Sequence, residues 1–431
     1  MEKPVRICMA SDFFFPNVGG VEEHIYNLSQ CLLKAGYKVI VITHSYGRIV
    51  GVRYLTNGLK VFYLPIKPFY NQAILPTMIG SLPLIRYILV RERIDIVHGH
   101  SAFSSLAHEV MIIGKLMGLK TVFTDHSLFG FADTSAILTN KFLQITLANV
   151  DHCICVSHIG KENTVLRAHV NHSRVSVIPN AVDTTVFHPR PAVLKPPGRI
   201  VIVSIGRLVY RKGIDLLAQI IVEICAKHPN VDFLIGGGGP KTSLLEEIIE
   251  RFHLHGRVTL IGQIDHSQVC SVLNRGHIFL NCSLTEAYCM AIVEAVACGL
   301  QVVCTKVGGI PEVLRPDLVF LREPNIPALI EGLECAMKDH INGKVVSPDE
   351  RHKFVQECYN WYNVSSRTEI VYDSLLHLSH PSLGKQLSNY RQSGVWPFLL
   401  VVSMMWVILR FLEWIVPRSS IDIARDYVKR K

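Results

Sequence analysis

The fold is decided by residues 285–314, TEAYCMAIVEAVACGLQVVCTKVGGIPEVL. Two glutamates, Glu286 and Glu294, stand eight positions apart in it. The run between and beyond them has helical spacing. It ends at Gly299, is followed by a β-rich run over 302–305, and then by the loop Gly308-Gly309-Ile310-Pro311-Glu312. A helix rises about 1.5 Å per residue, so eight positions span about 12 Å. That is the length of a nucleotide diphosphate with part of a sugar. A helix followed at once by a short apolar strand is half of an α/β repeat.

Working outward, the same rhythm fills the second half of the chain. Strands are expected at 200–205, 231–235, 258–261 and 278–281, with helical patterns between them. The first strand runs into Gly206-Arg207-Leu208-Val209-Tyr210-Arg211-Lys212-Gly213. The second runs into Gly236-Gly237-Gly238-Gly239-Pro240. A strand-to-helix turn of this kind points backbone N–H groups at an anion. Arg207 and Lys212 add two cations there, as a departing diphosphate requires. No Asp-x-Asp pair occurs to hold a bridging metal. Standing alone, an RxxxxK is more simply a solvated surface pair, and the two glutamates a cap and a surface charge.

The first half repeats the scheme. Strands are expected at 5–10, 38–43, 61–64, 94–98, 121–126, 153–157 and 175–180. Gly19 and Gly20 open the first helix. His98, His100, Asp125, His126 and Ser157 fall at strand ends, where ligands of doubly wound sheets bind. Each of them taken singly reads as a satisfied structural residue. Residues 189–198, PRPAVLKPPG, hold four prolines in ten positions and mark a hinge. The expected organisation is a first Rossmann-like domain over 1–188 and the hinge at 189–198. A second such domain over 199–378 faces the first across a cleft. A linker over 379–394, a transmembrane helix over 395–416 and a basic tail over 417–431 complete it.

Composition limits the alternatives. Of 431 residues, 49% are hydrophobic and 18% charged, which directs attention to a membrane segment. The net charge of +9 is dispersed, which argues against nucleic acid and favours phosphate-bearing or lipid partners. Twelve cysteines show no CxxC pair, and the chain opens without a signal-like stretch, so a reducing, cytosolic setting is expected. Residues 395–409 are fifteen uncharged positions, extended to Val416 if Arg410 and Glu413 pair or snorkel. Five basic residues follow this helix, while only Lys385 and Arg391 precede it closely. The positive-inside count alone would put the tail in the cytosol; the missing signal and unpaired cysteines favour a cytosolic catalytic domain instead.

GGVEEH, GRLVYRKG, the glycine run before Pro240 and the glutamate pair followed by GGIPEV occur in one order. In that order they resemble the family-4 retaining glycosyltransferases of the GT-B fold, over roughly residues 5–375. The longer stretches NVGGVEEHIYNLSQCL, TDHSLFGFAD, SRVSVIPNAVD and SLTEAYCMAIVEAVACGLQVV narrow the resemblance to members that begin GPI-anchor synthesis. It implies UDP-GlcNAc as donor, phosphatidylinositol as acceptor, the endoplasmic reticulum membrane, partner subunits and no metal or other cofactor. It would make the first domain the acceptor side and the second the nucleotide-sugar side. Gly19 and Gly20 would lie near the diphosphate. Arg207 and Lys212 would hold it and stabilise the leaving group. Glu294 would bind the ribose, and Glu286 the sugar's hydroxyl edge. The N–H groups of Cys289, Met290 and Ala291 would cap the donor, and His126 would approach the transferred sugar. Many relatives read Glu-Gly-Phe-Gly where this chain has Glu286-Ala287-Tyr288-Cys289, so the sugar edge departs from the pattern.

The lipid acceptor calls for a membrane-facing surface. Residues 65–89 offer Phe69, Tyr70, Ile74, Leu75, Met78, Ile79 and Leu82, with Lys67 and Arg86 for the inositol phosphate. An ordinary core helix is the plainer reading of the same stretch. Two other functions stay open: a different GT-B enzyme such as a phosphatidylinositol mannosyltransferase, and a non-catalytic scaffold.

Overall fold

The structure is a computed structural model that describes residues 4–128, 134–192 and 196–425. Residues 129–133 of TDHSLFGFAD, 193–195 of the Pro-rich stretch and 426–431 of the tail lie outside the described residues.

The apolar runs of the first half become strands β1 (Arg6–Ala10), β2 (Lys38–His44), β3 (Gly51–Tyr54), β4 (Lys60–Leu64), β5 (Ile96–His100), β6 (Lys120–Asp125), β7 (His152–Cys155) and β8 (Val175–Val177). They form one sheet in the order β3-β4-β2-β1-β5-β6-β7-β8, parallel except for β3 against β4. Both faces of such a sheet are covered, so its strands read as unbroken apolar runs; all five residues of β1 are buried. The covering helices include α1 (Gly20–Lys34), α2 (Leu82–Arg91), α3 (Ser105–Leu116), α4 (Thr134–Thr146) and α5 (His158–Ala168). In α1 the stripe Ile25, Leu28 and Leu32 is fully buried, as its spacing requires. Acidic Glu22 and Glu23 lie in its first turn and Lys34 in its last, complementing the helix dipole.

The second half gives β9 (Ile200–Ile205), β10 (Val231–Gly236), β11 (Val258–Gly262), β12 (Ile278–Asn281), β13 (Gln301–Thr305) and β14 (Val319–Arg322). All are parallel, in the order β11-β10-β9-β12-β13-β14. Helices α6 (Ile214–Lys227), α7 (Thr242–Arg251), α8 (His266–Leu273), α9 (Met290–Ala297), α10 (Ile326–Ile341) and α11 (Pro348–Cys358) complete this half. Each sheet reverses its strand order once, beside its first strand. The reversal lies between β1 and β5 in one sheet and between β9 and β12 in the other. Ligands of open parallel sheets bind beyond the carboxyl ends at such points.

The structure corrects the expected boundaries. One compact unit is Asn180–Asn360; the other joins the preceding chain to everything from Trp361 onward. Helix α12 (Trp361–Leu376) therefore belongs with the first sheet. It is fastened there by Tyr372 Oη against His98 Nδ1 (2.7 Å) and by Arg367 Nη2 donating to the Val177 carbonyl (2.6 Å). An apolar helix stripe does not state which sheet it covers, which is why the sequence pattern placed α12 in the wrong unit.

Helices α13 (Leu383–Gln392) and α14 (Trp396–Ile415) follow. Helix α14 has 20 residues and is long and apolar enough to cross a membrane. It carries two stripes. Val402, Met405 and Leu409 are buried on the first unit, while Leu400, Met404, Val407, Phe411 and Trp414 are exposed. Burying one such apolar side chain contributes about 1.5–3 kcal/mol. The expected Arg410–Glu413 pairing is replaced. Arg410 lies over the Trp406 ring at 5.8 Å, and Glu413 receives Arg86 Nη2 at 2.6 Å and Arg418 Nε at 3.2 Å. The chain beyond α14 also touches the first unit: Arg418 Nη2 donates to the Met117 carbonyl, and Ala424 N to the Arg91 carbonyl.

Candidate active site

In the second unit the turn after β9 and the segment after β12 meet at the strand-order reversal. The turn winds through a 3-10 segment, Tyr210–Lys212, to Gly213 at φ 68°. A Cβ on Gly213 would lie 1.8 Å from the Cys282 carbonyl oxygen. The glycine run after β10 presses equally close: a Cβ on Gly237 would sit 1.8 Å from the Gly206 carbonyl oxygen, and one on Gly239 2.4 Å from that of Leu208. Leu208 N donates to the Gly238 carbonyl and Lys241 N to the Leu208 carbonyl, both at 2.9 Å. The two glycine loops are thus interlocked backbone to backbone, at positions where only glycine fits.

This scaffold joins two of the expected site residues. Lys212 Nζ forms an ion pair with Glu286, whose Oε1 also accepts from Ser283 Oγ at 2.9 Å. Both side chains stay partly exposed, at 23% and 15%. Leu284 N donates to the Arg211 carbonyl (2.9 Å) and Gly309 N to the Glu286 carbonyl (3.0 Å). These bonds tie the turn, the glutamate and the Gly308-Gly309 loop into one frame. Arg207 is exposed on the same turn. Ser283 has no motif signature in the sequence; only the close approach of β9 and β12 reveals it.

Glu294 lies on α9, 14% exposed, with His266 Nε2 at 3.9 Å from its Oε1. Met290 and Ala291 open α9, and its N-cap residue Cys289 makes no side-chain cap bond. The N–H groups of that first turn therefore face outward from the helix start. Cys289 itself has φ 72° and ψ 78°, the left-handed region. This region favours glycine, and keeping a thiol there costs this chain about 1–2 kcal/mol. The thiol is buried, receives Asn281 Nδ2 at 3.5 Å, and burial with Glu286 nearby pushes its pKa up to about 12.

In the first unit the turn after β1 leads through Gly19, an extended residue, to Gly20 at the start of α1. A Cβ on Gly20 would meet nothing within 4 Å, whereas one on Gly19 would meet the Glu22 carboxylate at 2.7 Å. The positive end of α1 is therefore already faced by a carboxylate, and Gly20, unlike Gly19, offers clearance.

Beside this turn stand four histidines. His98 and His100 come from β5, His126 follows β6, and His24 comes from α1. His98 is held by Tyr372 Oη and by Thr124 Oγ1 (2.6 Å). His100 Nδ1 lies 3.4 Å from His126 Nε2, with the two rings stacked. His24 meets His126 edge-on at 4.7 Å between ring centroids and Trp361 at 5.5 Å. Burial holds the pKa of His98, His100 and His126 well below the ordinary histidine value, and the neighbouring imidazoles lower each further. These rings are neutral hydrogen-bonding groups at pH 7. The motif GGVEEH gives His24 no role of its own; the structure puts it against His126.

Other strand-end residues are structural. Asp125 is committed to Arg167 (2.8 Å), Thr164 (2.9 Å) and Ser127 N (3.0 Å), and Ser157 caps α5 by accepting from Gly160 N. Arg86 is a correction. It is 4% exposed, and its guanidinium serves Glu413 and the Val416 carbonyl (2.8 Å), so it is not available to a lipid headgroup. Lys67 is exposed. Around it Phe69, Tyr70 and Leu75 are 73%, 71% and 57% exposed, while Ile74 and Leu82 are core.

Known proteins agree with this frame. Residues 188–361 match the family model for glycosyl transferases group 1, and residues 44–133 match that for PIGA (GPI anchor biosynthesis). Sucrose-phosphate synthase from Thermosynechococcus elongatus superposes with TM-score 0.69 over 86% of this chain and 99% of its own, at 20% identity. Anabaena HepE in complex with UDP and glucose does so with TM-score 0.67 over 86% of this chain and all of its own, at 16% identity. The fold and its matching family model define a group 1 glycosyltransferase of the GT-B type. A phosphatidylinositol N-acetylglucosaminyltransferase subunit of Homo sapiens is 54% identical over 98% of this chain and 87% of its own length. The gpi3 subunit of the enzyme of that name in Schizosaccharomyces pombe is 47% identical over 97% and 92%. The chain belongs to the PIGA/GPI3 family of phosphatidylinositol N-acetylglucosaminyltransferase subunits.

Proposed function

We propose that this chain is the catalytic subunit that transfers GlcNAc from UDP-GlcNAc to phosphatidylinositol, with retention, within a multi-subunit complex at the start of GPI-anchor synthesis. The observation that carries the reading is the Lys212–Glu286 pair, set in interlocked glycine loops at the second unit's strand-order reversal. The relatives' names supply donor sugar, acceptor and membership of a complex.

In this reading Arg207 and Lys212 hold the diphosphate and offset the charge that develops as it leaves. Lys212 exchanges part of its contact with Glu286 for phosphate oxygen, and Glu286 turns to the sugar's hydroxyl edge. Glu294 binds the ribose, and the N–H groups of Cys289, Met290 and Ala291 meet the donor at the start of α9. Gly20 gives clearance at the start of α1, and neutral His126 hydrogen-bonds the transferred sugar. The acceptor hydroxyl attacks from the face the diphosphate leaves, and a phosphate oxygen takes its proton. No carboxylate pair performs acid–base work as in a hydrolase.

Labelled UDP-GlcNAc or GDP-mannose, supplied with phosphatidylinositol to the complex in detergent, tests the donor. Label in lipid from UDP-GlcNAc alone is the expected result; label from GDP-mannose instead would make the chain a mannosyltransferase. Product formation that survives Lys212→Ala unchanged would make it a scaffold.

We place both units on the cytosolic face of the endoplasmic reticulum membrane, with the exposed stripe of α14 in lipid. Lys67, flanked by exposed Phe69, Tyr70 and Leu75, is the remaining candidate for the inositol phosphate. Protease treatment of sealed microsomes is expected to degrade both units; full protection would overturn the placement. A C-terminal tag reports on α14 in the same experiment. A shielded tag means that α14 crosses; a tag cut with the units means that α14 lies along the membrane, with Glu413 keeping its bond to Arg86 and the following residues theirs to Met117 and Arg91.

A further inference from the structure

We propose that His24, His100 and His126 form a binding site for one divalent transition-metal ion of the zinc type, and that its occupancy inhibits sugar transfer. Each residue offers one ring nitrogen, and the three nitrogens lie within 4.8 Å of one another. Imidazole ligands bind Zn2+ at about 2.0–2.1 Å, which puts two nitrogens on a tetrahedral ion about 3.3 Å apart. His100 Nδ1 and His126 Nε2 are already 3.4 Å apart. The third nitrogen, up to 4.8 Å from the others, has up to about 1.5 Å to close to complete the set.

The three rings come from separate elements of one unit: α1, the end of β5 and the segment after β6. Two of them are fixed by packing, His24 at 4% exposure and His100 at 0%, and His126 is half-buried. His100 turns its other nitrogen to Met9 Sδ at 3.4 Å, which leaves Nδ1 for the site. His98 packs beneath His100 with both nitrogens engaged by Tyr372 and Thr124, so it is not a fourth ligand. The fourth position is left for water, the arrangement of an accessible zinc site as opposed to a closed structural one. Neutral nitrogen donors with no carboxylate among them suit zinc, copper or nickel over magnesium or calcium.

The metal site stands on this geometry alone. Inhibition rests in addition on the reading that His126 hydrogen-bonds the transferred sugar, because a metal-bound His126 nitrogen no longer reaches a hydroxyl.

Co2+ titrated into the full-length chain in detergent tests both parts. The expected result is one Co2+ per chain with the visible bands of a four-coordinate site and without a thiolate-to-cobalt charge-transfer band, the ion being displaced by Zn2+. The band matters because the chain carries twelve cysteines without a disulfide. His24→Ala and His100→Ala should each weaken Co2+ binding at least about tenfold, the smallest loss that even an outer-shell change brings. A thiolate band, absence of a visible spectrum, or unchanged affinity in both variants would overturn the site. The wild-type spectrum decides alone if a variant fails to fold. Zn2+ should also inhibit transfer by the wild-type complex over the range in which it displaces Co2+. Displacement without inhibition would leave the metal site standing and overturn the role of His126 at the sugar.

Discussion

The turns after β1 and β9 occupy the same place in their two sheets, yet their glycines answer different demands. Gly213 is required by neighbouring backbone, with a Cβ 1.8 Å from the Cys282 carbonyl oxygen. Gly20 is surrounded by open space out to 4 Å. One turn's glycine is fixed by close packing; the other's lies at an open, exposed helix start. Charge divides the same way. The second turn brings Lys212 to Glu286, whereas the first sets neutral, buried imidazoles beside a helix start that already faces Glu22. A glycine motif therefore carries two meanings, and only the atoms around the absent Cβ tell them apart.

The sharpest way to break this comparison is to add the same methyl group to both turns. Gly213→Ala meets a left-handed φ and a backbone overlap, and should cost more than about 3 kcal/mol in a denaturant titration, or prevent folding. Gly20→Ala should leave the denaturation midpoint within about 0.5 kcal/mol of wild type while raising the KM for donor. Equal destabilisation by both would erase the distinction.

The next effect in size concerns the ion pair that ties α14 to the first unit. Arg86→Ala leaves Glu413, 34% exposed, with only Arg418. Loss of this part-buried pair should cost about 1–3 kcal/mol, read by the same titration. Glu413→Ala combined with Arg86→Ala should add little to the single change.

A smaller effect depends on pH. Asp12 lies two residues beyond β1, is fully buried, and burial pushes its carboxyl up to about 8. The native state therefore keeps a proton that the unfolded chain releases at the ordinary carboxylate value. Stability from this group is complete below the unfolded value and falls as pH rises toward about 8. Asp12→Asn should flatten that slope, so that the variant gains on wild type between about pH 5 and about pH 8. Parallel slopes for the two proteins would contradict the assignment.

The smallest effect is at Cys289. Replacing it with glycine removes a positive-φ penalty of about 1–2 kcal/mol and also a buried thiol worth a similar amount. The net change in stability should stay within about 1 kcal/mol, with any change confined to sugar discrimination, read as kcat/KM for UDP-GlcNAc against UDP-glucose.

Much of this architecture was legible in the residues. Unbroken apolar runs located the parallel strands because both sheet faces are covered. The edge strand β3, GVRY, escaped because all four of its residues are exposed and it has no apolar signature. The second unit's site was legible because its charged residues sit on turns of fixed chemistry. Lys212 and Glu286 are separated by 74 positions, yet β9 and β12 are neighbours at the strand-order reversal. Arg86 was misjudged for the opposite reason. On a helix, a cation among apolar residues reads equally as a surface anchor or a buried partner. The group that decides, Glu413, lies 327 positions away. The histidine cluster was half visible: strand ends gave His98, His100 and His126, and only the packing of α1 against them brought in His24.

The most direct test of the central claim is calorimetric binding of UDP-GlcNAc to the full-length chain and to its Lys212→Ala variant, with folding checked by denaturation. The account predicts at least about tenfold weaker binding in the variant, the loss of one charge-assisted phosphate contact of about 1.5–3 kcal/mol. Equal affinity in a folded variant would contradict it and move the donor's diphosphate away from the Lys212–Glu286 turn.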